Sequence, residues 1–334
     1  MEHVPLASTG RSTTRLGFGC TALMGSLTRR QSLALLEAAW DAGIRHFDVA
    51  PAYGWGEAES CLGEFLNRHS GEITVTTKFG ILPPQRPWWL GLGRRLASPV
   101  IRRAPGAKQR LARAANAALG KSQKSQISVP EARASLERSR AALRADRIDL
   151  WLLHDIAAAR LEESALLDFL RESVASGKIG DFGVSHDIAQ IAVLWEQQHD
   201  YCHVLQFEWS VLRPVPPFAG SFRIHHRALA HNLAALRAHL EEHPEVCRDW
   251  SREVDYDLAA PASLAALMLR GVLAMNPGCI ALVSSKNPGH IAANVRAAND
   301  PLLEERARRL YALVQREGIA PVQGTRAGAT PASS

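Results

Sequence analysis

The 334-residue chain has no run of eighteen apolar residues, and its start, Met1-Glu-His-Val-Pro-Leu6, has neither a basic nor an apolar leader region. Those absences predict no membrane span and no secretion, and they point to the cytoplasm. Cysteine is sparse and scattered: Cys20, Cys61, Cys202, Cys247 and Cys279 show no C-x-x-C spacing, which suits small buried thiols in a reducing compartment. Acid is missing from one long stretch. Residues 81–128 hold ten Lys and Arg without a single Asp or Glu, so the rest of the chain carries −4 although the whole is +6. The basic character therefore belongs to one segment and not to the fold. No nucleic-acid-binding module accompanies it, so a nucleic-acid partner is not expected.

What is present is the ordinary mixture of a globular protein, 46% apolar and 22% charged. Strand-like runs begin near residues 16, 45, 73, 148, 179 and 204, about thirty residues apart once the basic segment is set aside. Amphipathic stretches separate them. Thr28 and Gln31 form a capping-box pair ahead of one, and Ser128-Val-Pro-Glu131 opens another. Two further strands are expected over 221–228 and 279–284, with helices around 229–242, 261–275 and 290–298. Strands alternating with helices pair in parallel, and eight such units close into a (β/α)8 TIM barrel, a fold that holds about 250 residues or more in one domain. The expected organisation is one barrel over residues 1–317, with an N-terminal hairpin turning at Thr9-Gly10 and a long basic insertion (81–128) after the third strand. A disordered tail over 318–334 is expected to follow. Between the sixth and seventh barrel strands, residues 211–220 hold Pro214, Pro216 and Pro217 and are too short for a full helix, so the barrel either lacks that helix or replaces it with the 229–242 segment.

Four polar residues stand where strand patterns end and loops begin: Asp48, Tyr53, Lys78 and His154. Active sites of such barrels lie at the C-terminal strand ends. A phenol ionises near pH 10, so it donates a proton well but recovers one slowly near neutrality. Lowering that value by two or three units needs about 3–4 kcal/mol. One ammonium at about 4 Å supplies roughly this at an effective dielectric of 20. Lys78 is placed to do so, Asp48 to keep Lys78 charged, and His154 to orient a carbonyl oxygen.

These residues also carry a resemblance. Phe47-Asp-Val-Ala-Pro-Ala-Tyr53-Gly54, Thr76-Thr-Lys78 and Leu152-Leu-His154 resemble the motifs of the aldo-keto reductases, over roughly residues 4–315. Residues 54–62 look most like the bacterial aldose dehydrogenase branch. The resemblance implies reduction of an aldehyde or ketone, a sugar included, or oxidation of the corresponding alcohol. No side chain donates hydride, so a nicotinamide cofactor is implied, NADP with NAD as the alternative. Gly17-Phe-Gly19-Cys-Thr-Ala22 fits a dinucleotide fingerprint only superficially, because no helix is expected directly behind it. The resemblance instead places the nicotinamide carboxamide at Ser185 and Gln206, with His186 where an asparagine is usual. It places the adenosine phosphate at Ser284, Ser285, Lys286, His290 and Asn294. His290 replaces the family arginine there and Ala293 its glutamate, which Lys286 compensates in part.

Trp55, Trp88 and Trp89 are candidate walls of the substrate pocket, the last two within a basic insertion read first as a lid and second as a contact with an anionic membrane surface. His239 and His243 sit four apart on an expected helix, read as a solvated face rather than a metal site, while His225 or His226 could reach the pocket. A non-catalytic, cofactor-sensing subunit on the same barrel is the alternative to an enzyme. The oligomeric state is left open by the sequence.

Overall fold

The computed structural model describes residues 1–69, 71–83, 125–162 and 164–321. The insertion residues 84–124, with Trp88 and Trp89, and the tail residues 322–334 lie outside the described residues. The chain opens with an antiparallel hairpin of β1 (His3–Pro5) and β2 (Ser12–Thr14). Eight parallel strands follow: β3 (Leu16–Gly19), β4 (His46–Asp48), β5 (Thr74–Phe79), β6 (Ile148–His154), β7 (Ile179–Ser185), β8 (Val204–Glu208), β9 (Phe222–His226) and β10 (Ile280–Val283). β10 pairs with β3, so the sheet closes into the expected barrel.

Side chains alternate across each strand, and the alternation builds the interior. On β6, Leu150 and Leu152 turn inward, where Val4 and Leu6 of the hairpin, Val204, Ile224, Ile280 and Leu282 meet them and plug the lower barrel. Trp151 and Leu153, between them, face the helical layer. The hairpin is pinned by Arg11, which donates to Asp149 at 2.8 Å while the second oxygen of that carboxylate accepts from the Val75 amide at 2.8 Å.

The outer layer comprises α1 (Arg29–Asp41), α2 (Ala58–Leu66), α3 (Val129–Leu143), α4 (Ser164–Ala175), α5 (Ile188–Gln197), α6 (Ala230–Glu242), α7 (Pro244–Val254), α8 (Pro261–Met275), α9 (Pro288–Asn299) and α10 (Leu303–Glu317). The caps read from the sequence form: Thr28 accepts from the Gln31 amide, and Ser128 from that of Glu131. Two helices were not foreseen. α7 buries only Cys247, Trp250 and Val254 on an otherwise charged face, and only three residues separate the end of α9 from the start of α10.

The connection from β8 to β9 (residues 209–221) contains no helix, as its prolines predict. β8 and β9 still pair in register from Val204↔Phe222 to Glu208↔His226. Phe218, from the loop, packs edge-on against Phe207 at 5.7 Å and against Trp195 at 5.6 Å, covering the strands where a helix would otherwise lie. At the other side of the barrel, the Ser125 amide donates to the Gly80 carbonyl at 2.9 Å. The basic insertion therefore leaves and rejoins the barrel at one point, at the C-terminal end of β5.

Candidate active site

The C-terminal ends of these strands surround a cleft of about 1170 Å3, more than a single drug-sized ligand needs. Inward-facing positions supply its floor. Asp48 ends β4, Lys78 stands one residue before the end of β5, and His154 ends β6. Asp48 and Lys78 are 3% and 1% exposed. The Lys78 ammonium donates to Asp48 Oδ1 at 2.6 Å and to the Val49 carbonyl at 3.0 Å. Burial alone would depress Lys78, but the adjoining Asp48 carboxylate, with Tyr53, holds it above the ordinary lysine value.

Tyr53 follows β4 on a short turn, and its ring centre lies 5.3 Å from Lys78 Nζ. The turn depends on glycine. Gly54 has φ +57°, and a Cβ there would stand 2.4 Å from the Leu23 carbonyl oxygen and 2.6 Å from Met24 Cβ. Trp55 adopts the same left-handed conformation at φ +61°, is half-buried, and is not among the residues that line the cleft. Gly54→Ala is expected to lower the unfolding free energy by about 2 kcal/mol or more through backbone strain and the clash with Leu23. A urea titration measures it; an unchanged midpoint would show that the turn gives way freely.

The electrostatics differ from the sequence expectation in one respect. Burial pushes the Tyr53 hydroxyl up, and the Lys78 ammonium, the largest opposing influence, does not bring it below its ordinary value. The expected lowering by two or three units is therefore corrected. Desolvation, which depends on the whole fold, outweighs the single charge. Lys78 can favour the phenolate while the resting group stays a phenol. His154 is held well below the ordinary imidazole range by burial, then by Lys78, His226 and His186, so it is a neutral hydrogen-bonding group at neutral pH.

Ser185 and Gln206 lie beside this pair in adjacent strands, His154↔Ser185↔Gln206 in register. The Ser185 hydroxyl donates to Gln206 Oε1 at 2.9 Å, and Gln206 Nε2 donates to Asp48 Oδ2 at 2.6 Å. A primary amide has two N–H donors and two acceptor lone pairs, and these contacts use one of each. What remains matches the donor and acceptor of an incoming carboxamide, so the nicotinamide end of a cofactor fits here. His186 lines the same wall, its Nδ1 2.9 Å from the Asp187 amide. At the far end, Ser284 and Asn294 line the cleft, and the Ser284 hydroxyl donates to the Gly19 carbonyl. Lys286 and His290 are exposed and Ser285 half-buried, none of the three among the lining residues.

His226 lines the cleft, whereas His225 turns outward between Phe207 and Trp209, with ring centres at 4.8 and 5.8 Å. Burial lowers each of these imidazoles to about 3. The period of two along β9, with Ile224 inward, selects His226. Glu208, Arg213 and Arg227 also line the wall and were not foreseen; Arg227 donates to Glu208 at 3.3 Å. His239 and His243 stack at 4.6 Å on α6 and its end, and among the described residues no cluster of three metal-ligating side chains occurs.

Among curated relatives, a pyridoxal 4-dehydrogenase from Microbacterium luteolum is 45% identical over 85 residues, 24% of this chain and 25% of the relative. A D-threo-aldose 1-dehydrogenase from a Pseudomonas species is 35% identical over 158 residues, 45% of this chain and 42% of that protein. The matched stretches thus span a quarter to less than half of these relatives' lengths. Of solved structures, the holo form of aldo-keto reductase AKR11C1 from Bacillus halodurans superposes with a TM-score of 0.69 at 19% identity, covering 97% of this chain and 99% of that one. An aldo-keto reductase from Klebsiella pneumoniae in complex with NADPH gives 0.61 at 20% identity, with 98% of each chain covered. These likenesses carry the barrel fold. The sequence model of the Aldo/keto reductase family matches residues 15–219, from β3 through the loop after β8, and by that match the chain belongs to the aldo/keto reductase family.

Proposed function

We propose that the protein is an NAD(P)H-dependent oxidoreductase that interconverts an aldehyde or ketone and the corresponding alcohol. One observation carries this reading: a buried ammonium, fixed by Asp48 at 2.6 Å, lies under the ring of Tyr53 at the floor of a large cleft. An ion pair needed only for stability has no reason to stand against a phenol at the strand ends. The nicotinamide cofactor, when bound, supplies the hydride. Tyr53 gives its proton to the substrate oxygen and takes it back in the reverse direction. Lys78 stabilises the phenolate left behind, Asp48 holds Lys78, and neutral His154 donates to the carbonyl oxygen and orients it.

The substrate is proposed to be a small hydroxylated carbonyl compound, a sugar or sugar-like aldehyde. Glu208, Arg213 and His226 give the cleft wall the hydrogen-bonding groups that hydroxyls need. The relatives' names, an aldose dehydrogenase and a 6-dehydroglucose reductase from Novosphingobium aromaticivorans among them, point the same way. NADP is the preferred cofactor in this reading, with Ser284 and Asn294 lining the distal end of the cleft. Steady-state oxidation of NADPH and NADH with a panel of aldehydes, ketones and sugars tests it. Turnover on polyhydroxylated carbonyls is expected. Tight NADPH binding without turnover on any of them would favour the cofactor-sensing subunit instead.

A further inference from the structure

Gln206 does more in this fold than line a cofactor pocket. Asp48 is a carboxylate with two oxygens and two buried partners: Lys78 on Oδ1 at 2.6 Å and Gln206 Nε2 on Oδ2 at 2.6 Å. A carboxylate can only accept, so the Gln206 nitrogen must face Asp48 and its oxygen must face Ser185, which donates to it at 2.9 Å. Gln206 is 2% exposed and Ser185 5%, so water does not compete for either contact. The result is a directed chain, Ser185→Gln206→Asp48←Lys78, that joins two neighbouring pairs of strands, β7–β8 and β4–β5, across the barrel interior and ends beneath Tyr53.

We infer that Gln206 is a positioning residue for the proton-transfer group: clamped by Ser185, it fixes Asp48 and balances part of its charge, and so sets how readily Tyr53 ionises. This inference rests on the proposed role of Tyr53. The one amide would then serve both the cofactor pocket and the acid, linking occupancy of the pocket to proton transfer.

The groups that face this centre are few. Tyr53 is faced by Lys78 from β5, Asp48 from β4 and Cys20 from the turn after β3. Lys78 acts in turn on buried His46 of β4, His154 of β6, His226 of β9 and Glu59 of α2. The three imidazoles are neutral at pH 7, burial holding each below its ordinary value, and Cys20 remains a thiol because burial raises it. Glu59 lies behind β5, hydrogen-bonded to the Thr77 hydroxyl at 2.6 Å. Asp48 is therefore the nearest negative charge opposing the pull of Lys78 on Tyr53.

Gln206→Met removes the donor at nearly constant volume. The Lys78 ammonium stays on Oδ1 at 2.6 Å while Oδ2 loses its donor, so more of the carboxylate's charge is left uncompensated beside the phenol. The expected outcome is an upward shift of about one unit in the ionisation of Tyr53, the order that losing one charge-assisted hydrogen bond on its neighbour produces. Ser185→Ala keeps the amide but frees its orientation, and a smaller shift in the same direction is expected. The readout is the pH dependence of the tyrosine 13Cζ resonance in labelled protein, with Tyr53→Phe identifying the signal, beside the basic limb of kcat. Titrations of both variants that coincide with the parent overturn the inference. If the parent never turns over a carbonyl and yet Gln206→Met moves the resonance, the positioning holds and the enzymatic reading fails. If the parent turns over and neither variant moves it, only the positioning fails.

Discussion

Replacing Tyr53 by phenylalanine is expected to lower kcat for carbonyl reduction by about 10²–10⁴-fold, the contribution of a positioned general acid, while leaving cofactor affinity within a factor of about two. The substitution removes one oxygen and keeps the ring above Lys78, so the fold and the cleft floor should persist. NADPH fluorescence titration and single-turnover kinetics separate the two quantities. A phenylalanine variant that retained full turnover would remove the phenol from the chemistry. The same residue dictates a pH profile. Because burial holds the hydroxyl above its ordinary value, the phenol is protonated throughout the neutral range. Reduction, which consumes that proton, should be flat through neutrality and decline only as pH rises through the raised value. Oxidation, which needs the phenolate, should increase over the same alkaline interval. Measuring kcat in both directions checks the sign, and a reduction limb that fell between about pH 7 and 8 would mean that Lys78 prevails over desolvation.

The barrel was legible because its cause is local. Runs such as Ile148–His154 are apolar on both faces, and a strand of that kind must be covered inside and out. The placing of Asp48, Lys78 and His154 together was legible for a related reason: each stands at or next to the end of an apolar run, so its position at the strand end is fixed by the pattern before it. The helices α7 and α10 were harder to see. Both are charge-rich, and the charges mask a narrow apolar stripe at helical spacing, Cys247, Trp250 and Val254 in α7 and Leu303, Ala307, Leu310 and Val314 in α10. The ionisation of Tyr53 was not legible at all, since the desolvation that decides it comes from residues distant in sequence. His225 and His226 could be separated only with the register of β9. The distal cofactor end is the least transparent part. The family match stops at residue 219, before β9 and β10, and Lys286 and His290 project from the surface there instead of lining the cleft.

The Lys78–Asp48 pair should also show itself in stability, and in a way that distinguishes an ion pair from its separate members. Both charges are buried, so removing one strands the other in a poorly solvated site. Lys78→Met is expected to lower the unfolding free energy by about 3–5 kcal/mol and to abolish turnover. Asp48→Asn is expected to cost less, since an amide can still accept from Lys78 through its oxygen. The double replacement is expected to be more stable than Lys78→Met alone, because no uncompensated carboxylate remains, although it stays inactive. Guanidinium unfolding of the three variants closes the double-mutant cycle. If the two effects simply added, the charges would not be interacting across 2.6 Å and the support proposed for Tyr53 would be lost. A stable, inactive double variant would show instead that the barrel tolerates an uncharged pair in this place, so the buried charges are kept for proton transfer.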